Sequence, residues 1–143
     1  MGLDISAGGY GFRAGSYSGF ASFRDWLAQK IGFKNSTAYY KHFAKKEGKW
    51  NNRIGMSKNA RNMPLGPLMQ HSDCEGQIGP GLAKKLLKEL KDIKNNLPTI
   101  KKTKWSTKNT KKENDEIFYR ESLNHWIEIC KEAIDYKEPI HFS

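Results

Sequence analysis

The stretch TKKENDEIFYRESLNHWIEICKEAIDY, residues 110–136, decides the fold. Tyr119, Leu123, Trp126, Ile127, Cys130 and Ile134 recur at three and four residues, which places one apolar stripe along a helix. Thr110 and Glu113 stand at capping-box spacing, the acids Glu113, Asp115 and Glu116 suit the positive end of a helix dipole, and Pro139 stops the helix. A helix with one apolar face must cover it. Trp126 lies on that stripe, so its deep burial is the first expectation.

Upstream, Gly79-Pro80-Gly81 opens a second amphipathic helix, in which Leu82, Leu86, Leu90 and Ile93 repeat until Asn95-Asn96-Leu97-Pro98 ends it. A third is expected near 20–31, where Phe23, Trp26, Leu27 and Ile31 share a face, with Ser18 or Ser22 as N-cap and Gly32 as terminator. Leu3, Ile5 and Ala7 alternate with polar residues and read as a strand over Met1–Ala7. Glycines at 8, 9, 11, 15 and 19 then predict a glycine and aromatic loop or a tight hairpin. Thr37–Lys46 reads as a further helical turn or two, Glu47–Asn62 as an exposed loop, and Met63, Leu65, Leu68 and Met69 as a short apolar segment broken by Pro64 and Pro67. Thr99–Lys112, rich in Lys, Thr and Ser around a lone Trp105, reads as a flexible connection or an edge hairpin rather than packed core. One strand cannot stand alone. The expected fold is α+β: a small antiparallel sheet that includes the N-terminal strand, packed by about three amphipathic helices within a single domain, 1–143.

Charge is distributed unevenly. The 143 residues carry a formal net charge of +10, and the isoelectric point is about 9.6. Residues 34–61 hold eight Lys or Arg against one Glu, and residues 84–112 hold eleven against two acids. Residues 113–143 reverse this with eight acids against three basic residues. Such a molecule attracts phosphate-bearing partners, although a Lys-rich surface also serves solubility alone. The acidic outer face of the last helix also matches the basic block of a second copy, which allows a homodimer. No apolar run approaches the roughly 20 residues that cross a bilayer, so no membrane partner is expected. Met1-Gly2 with Ser6 fits the loose myristoylation pattern, but Leu3 and Ile5 read better as inward strand positions. Two distant cysteines, Cys74 and Cys130, and the absence of a secretory pattern point to a reducing cytoplasm.

Candidate ligand-binding residues cluster at two glycine turns. In Phe12-Arg13-Ala14-Gly15-Ser16-Tyr17-Ser18-Gly19, Arg13 offers a planar fork for phosphate, Ser16 and Ser18 offer hydroxyls, and Tyr17 offers a stacking face. The competing reading of Arg13 is an ion pair with Asp4 or Asp73. Arg24 adds a second cation and Trp26 a second ring, while Asp73 and Glu75 suit base or ribose groups. Gly9-x-Gly11-x-x-Ala14 fits a dinucleotide fingerprint only formally, because Gly15 and Gly19 break the helix it requires. His71, Asp73 and Glu75 form no recognised metal spacing, and Ser16 or Cys74 lack a nucleophile context. No cofactor, metal or catalytic residue is therefore assigned.

MGLDI at 1–5, FRAGSYSG at 12–19, and SDCEG at 72–76 with Ile78-Gly79-Pro80 resemble a group of short uncharacterised proteins of bacteriophages and prophages. The likeness covers about half the chain. Those proteins carry a longer insert where only Ser6–Gly11 intervenes here. The resemblance implies a phage setting in the cytoplasm of a bacterial host. It further implies action on host machinery, which includes capture of the cyclic or ADP-ribose-type nucleotides that bacterial immunity uses as alarms.

The leading expectation is a noncatalytic protein that binds and sequesters a phosphate-bearing nucleotide. The first alternative is a nucleic-acid-binding protein, in which Tyr39, Tyr40, Phe43, Trp50 and Trp105 interleave with lysines. A nucleotide hydrolase is the second, and it needs His71, Asp73 and Glu75 to face the Arg13 loop.

Overall fold

The computed structural model describes residues 2–47, 63–69 and 76–143, without the side chains of Tyr17 and residues 44–47. Strands β1 (Gly2–Ala7) and β2 (Tyr10–Ser16) are followed by helices α1 (Tyr17–Lys30), α2 (Ser36–Glu47) and α3 (Gly66–Met69). Strand β3 (Gly76–Ile78), helices α4 (Pro80–Asn95) and α5 (Lys111–Tyr136), and strand β4 (Ile140–Phe142) complete the order. The fold is α+β, with an antiparallel sheet in the order β2-β1-β4-β3.

The β1–β2 hairpin forms because Gly8 takes φ 56°, the value that a tight two-residue turn demands at its first central position. A side chain there would also strike the Tyr136 ring, 2.7 Å from the Cβ it would add. Further along, the register slips between Leu3 and Asp4, beside Gly15 at φ 96°. Leu3, Ile5, Ala7, Ile78, Ile140 and Phe142 point inward and are buried. Asp4, Ser6, Arg13, Gln77 and His141 alternate with inward positions and are exposed, so the helices cover a single face.

Helix α1 begins earlier than its expected caps. Ser16, rather than Ser18 or Ser22, is the N-cap, and its hydroxyl accepts from the Gly19 N–H at 3.1 Å. Phe20 and Phe23 thereby gain a full turn of helix before them and bury against the sheet side of the core. The expected helical turns after Thr37 extend to a helix of 12 residues, started by Asn35, whose side chain accepts from the Ala38 N–H. Asp25 joins α1 to α2 by accepting from the Ser36 N–H at 2.8 Å. The strands β3 and β4 had no sequence expectation. The loop expected over 47–62 lies outside the described residues beyond Glu47.

Helix α5 packs beside α4 and across the sheet. Its capping box is formed in full: Thr110 Oγ1 accepts from the Glu113 N–H at 3.1 Å, and Glu113 Oε1 accepts from the Thr110 N–H at 2.8 Å. Leu65 adopts φ 56°, a costly conformation for a branched side chain, and is held there by full burial and by Glu89, whose carboxylate accepts from its N–H.

Trp126 is 0% exposed, and its ring meets Phe12 of β2, Phe20 of α1 and Phe142 of β4 at 5.5, 6.1 and 5.7 Å between centroids. Trp126→Ala will cost about 3–5 kcal/mol in urea denaturation, because the cavity adjoins three elements that cannot all collapse. Trp126→Phe will cost much less, since the indole Nε1 lacks a hydrogen-bond partner and its loss forfeits none.

Candidate functional site

The residues expected at the glycine turns are distributed over different parts of the molecule. Arg13 lies on the outer sheet face and forms the ion pair with Asp4, through Nε at 2.9 Å and Nη2 at 3.1 Å. Ser16 caps α1, and its hydroxyl also shares a hydrogen bond with Ser18 Oγ at 3.0 Å. Tyr17 starts the same helix. Arg24 turns inward: it is 6% exposed, donates from Nε and Nη2 to the Leu68 carbonyl, and lies 4.2 Å over the Phe20 ring. Trp26 is buried as well, stacked between Phe23 and Tyr119, and donates from Nε1 to Glu116 Oε2 at 2.9 Å. Asp73 and Glu75, with His71 and Cys74, lie outside the described residues. Arg13 on the outer face and Arg24 and Trp26 in the interior do not line one pocket.

The described residues instead form a groove where the connection after α4 crosses the first half of α5. Pro98, Ile100, Lys101 and Lys102 form one wall, and Lys112, Glu113, Glu116 and Arg120 form the other, around a volume of about 400 Å³. Ligand pockets commonly enclose roughly 300–1,000 Å³. Four cationic side chains face two carboxylates here, with Pro98 and Ile100 as the apolar surface.

Both carboxylates are already engaged. Glu113 completes the capping box and stands 3.6 Å from Lys102. Its carboxyl is held below the ordinary value mainly by the Thr110 backbone N–H, then by the Thr110 side chain, with Lys102 a smaller influence. Glu116 accepts from Trp26 through Oε2 and from Arg120 Nε through Oε1 at 3.3 Å. Arg120 is only 19% exposed, and its Nη2 is buried without a hydrogen-bond partner among the described residues. Buried polar groups are normally satisfied, and guanidinium donors especially so.

The connection is irregular but tied down. Asn114 of α5 accepts from the Ser106 N–H at 3.2 Å and donates to the Ser106 carbonyl at 2.9 Å. Asn109 donates to the Lys104 carbonyl and to Asn114 Oδ1. The composition of this segment predicts a flexible connection or an edge hairpin, and no motif singles out Arg120 or Glu116. The only signal for that pair was its four-residue spacing, which on most helices marks a surface ion pair.

Catalytic chemistry finds little material among the described residues. Burial pushes the Cys130 thiol up to about 12, which removes it as a nucleophile. His125 Nδ1 is hydrogen-bonded to the Tyr10 hydroxyl at 2.7 Å, and His141 stands on the outer sheet face. No group of three or more His, Cys, Asp or Glu is placed to hold a metal among the described residues. No described helix is long and apolar enough to cross a membrane. Comparison with known proteins brings no match: no family model, no curated protein and no solved structure shows significant similarity to the chain.

A carboxyl held below its ordinary value stabilises the fold when ionised, and that contribution disappears as the pH drops through the lowered value. Thermal melts will therefore show Glu113→Gln less stable than the wild-type chain above about pH 5. The difference will shrink as the pH falls below 4.5, the ordinary value for this group.

Proposed function

We propose that this protein binds and sequesters a phosphate-bearing nucleotide without catalysis, and that the groove beside α5 is the site. The four cations lining the groove, Lys101, Lys102, Lys112 and Arg120, carry the proposal, because they outnumber its two carboxylates, both of which already bond to donors of the protein. Lys101, Lys102 and Lys112 add charge for phosphate oxygens, and Pro98 and Ile100 offer an apolar surface for a base. Glu113 and Glu116 support binding over hydrolysis, since each is committed to donors of the protein itself. The likeness to phage and prophage proteins favours a host immune signalling nucleotide as the ligand.

Calorimetry with cyclic dinucleotides and ADP-ribose derivatives tests this reading. One member of the panel will bind, and Arg120→Ala will weaken it by about 10- to 100-fold, the range for a lost hydrogen bond to a charged group. Lys101→Ala removes an exposed cation that has no ion pair among the described residues, so its weaker binding will reflect ligand contact rather than folding. Arg13→Ala will leave the affinity unchanged. Chromatography after incubation with protein and divalent metal will return the ligand intact. Absence of binding by the whole panel at tens of micromolar protein overturns the proposal, and a cleaved ligand overturns its noncatalytic part.

A further inference from the structure

We propose that the loop carrying Trp105 is a stacking platform for single-stranded nucleic acid, a second binding surface centred on the indole that shares Lys101 and Lys112 with the groove. Of the aromatic residues interleaved with lysines, Tyr39 is buried and donates to the Pro64 carbonyl. Tyr40 donates to the Met69 carbonyl, and Phe43 packs against Tyr39. Trp50 lies outside the described residues. Trp105 differs from all of these. It is 67% exposed and meets no other ring among the described residues.

The exposure is imposed by the loop. The Lys104 carbonyl before Trp105 accepts from Asn109, and the Ser106 N–H and carbonyl after it are both held by Asn114. Lys108 N–H donates to Ser106 Oγ, and Asn109 N–H to the Ser106 carbonyl, which closes the turn. The backbone on both sides of the indole is thus ordered while the ring stays in water. Backbone order on both sides lowers the entropy lost when a planar group stacks on the indole.

Charge selects the partner. Residues 99–112 contain Lys101, Lys102, Lys104, Lys108, Lys111 and Lys112 and no acid. Lys102 and Lys111 pair with Glu113 and Asp115 at 3.6 and 4.0 Å, and the other four have no ion pair among the described residues. An apolar protein partner covering Trp105 would have to desolvate these ammonium groups, whereas a nucleic acid strand brings a phosphate and a π-face with every nucleotide. A duplex hides those faces within its stack, so the single strand is the form that uses both features.

Fluorescence anisotropy with a labelled 15-nucleotide oligothymidylate and an oligouridylate, against a duplex of the same length, tests the proposal. Both single strands will bind at 50 mM salt more tightly than the duplex. The logarithm of affinity will fall with the logarithm of salt at a slope of about −3, as four phosphate contacts on a single strand predict. Trp105→Ala will weaken single-strand binding about 10-fold or more, Trp105→Phe will retain most of it, and neither will alter the melting temperature, because the ring contributes nothing to the core. Arg120→Ala, which disables the groove, will leave strand binding within about two-fold, so the two sites fail separately. No complex at 50 mM salt, equal affinity for the duplex, or an unaffected Trp105→Ala variant each overturns the proposal.

Discussion

The packing of Trp126 is the constraint on which the other elements depend. Its ring is reached by an aromatic side chain from each of β2, α1 and β4, elements that enter the chain at residues 10, 17 and 140. Once α5 is pinned there, its axial position over the sheet is set, and every residue on its first half takes a defined place. Arg120 stands about 9 Å and Glu113 about 20 Å further toward the helix N-terminus, at about 1.5 Å per residue. The groove is therefore built on the same rigid element that organises the core.

Glu116 connects the two regions. One carboxylate oxygen holds the indole of Trp26, which belongs to the interior of α1, and the other holds Nε of Arg120 at the groove. Fixing Nε restricts the guanidinium plane, and the unpartnered Nη2 is a consequence of that restriction. Leaving such a donor buried costs about 1–3 kcal/mol. A chain under selection for stability alone could relieve this with a neutral side chain at position 120. The cost falls beside a groove whose four cations outnumber its two carboxylates, both of them already bonded within the protein.

Local patterns in the sequence carried α4, α5, the capping box, the first strand and the burial of Trp126, because each is encoded within a few helical turns or strand residues. Long-range partners were not visible in that way. Arg24 and Trp26 read as ligand contacts from their chemistry, yet their partners come from Leu68 and Glu116, separated by 44 and 90 residues. Arg13 was legible in its alternative, since Asp4 lies nearby across the hairpin. Strands β3 and β4 span three residues each, too few for a two-residue period to emerge. The order of the Lys-rich connection rests on Asn109 and Asn114 bonding to backbone, an arrangement with no periodicity and a composition that matches flexible linkers.

The same connection supplies a wall of the groove and the loop of Trp105, so its order is shared by both surfaces. Asn114 is central to this, because one side chain closes the turn around Ser106 while its backbone N–H returns to Thr110 within the cap of α5. The acids at the start of α5 pair with only two of the neighbouring lysines, Glu113 with Lys102 and Asp115 with Lys111. Glu113 also satisfies a cap donor, and Glu116 satisfies an indole and a guanidinium. Lys101, Lys104, Lys108 and Lys112 have no ion pair among the described residues, so positive charge gathers where the structure also offers a cavity and an exposed ring.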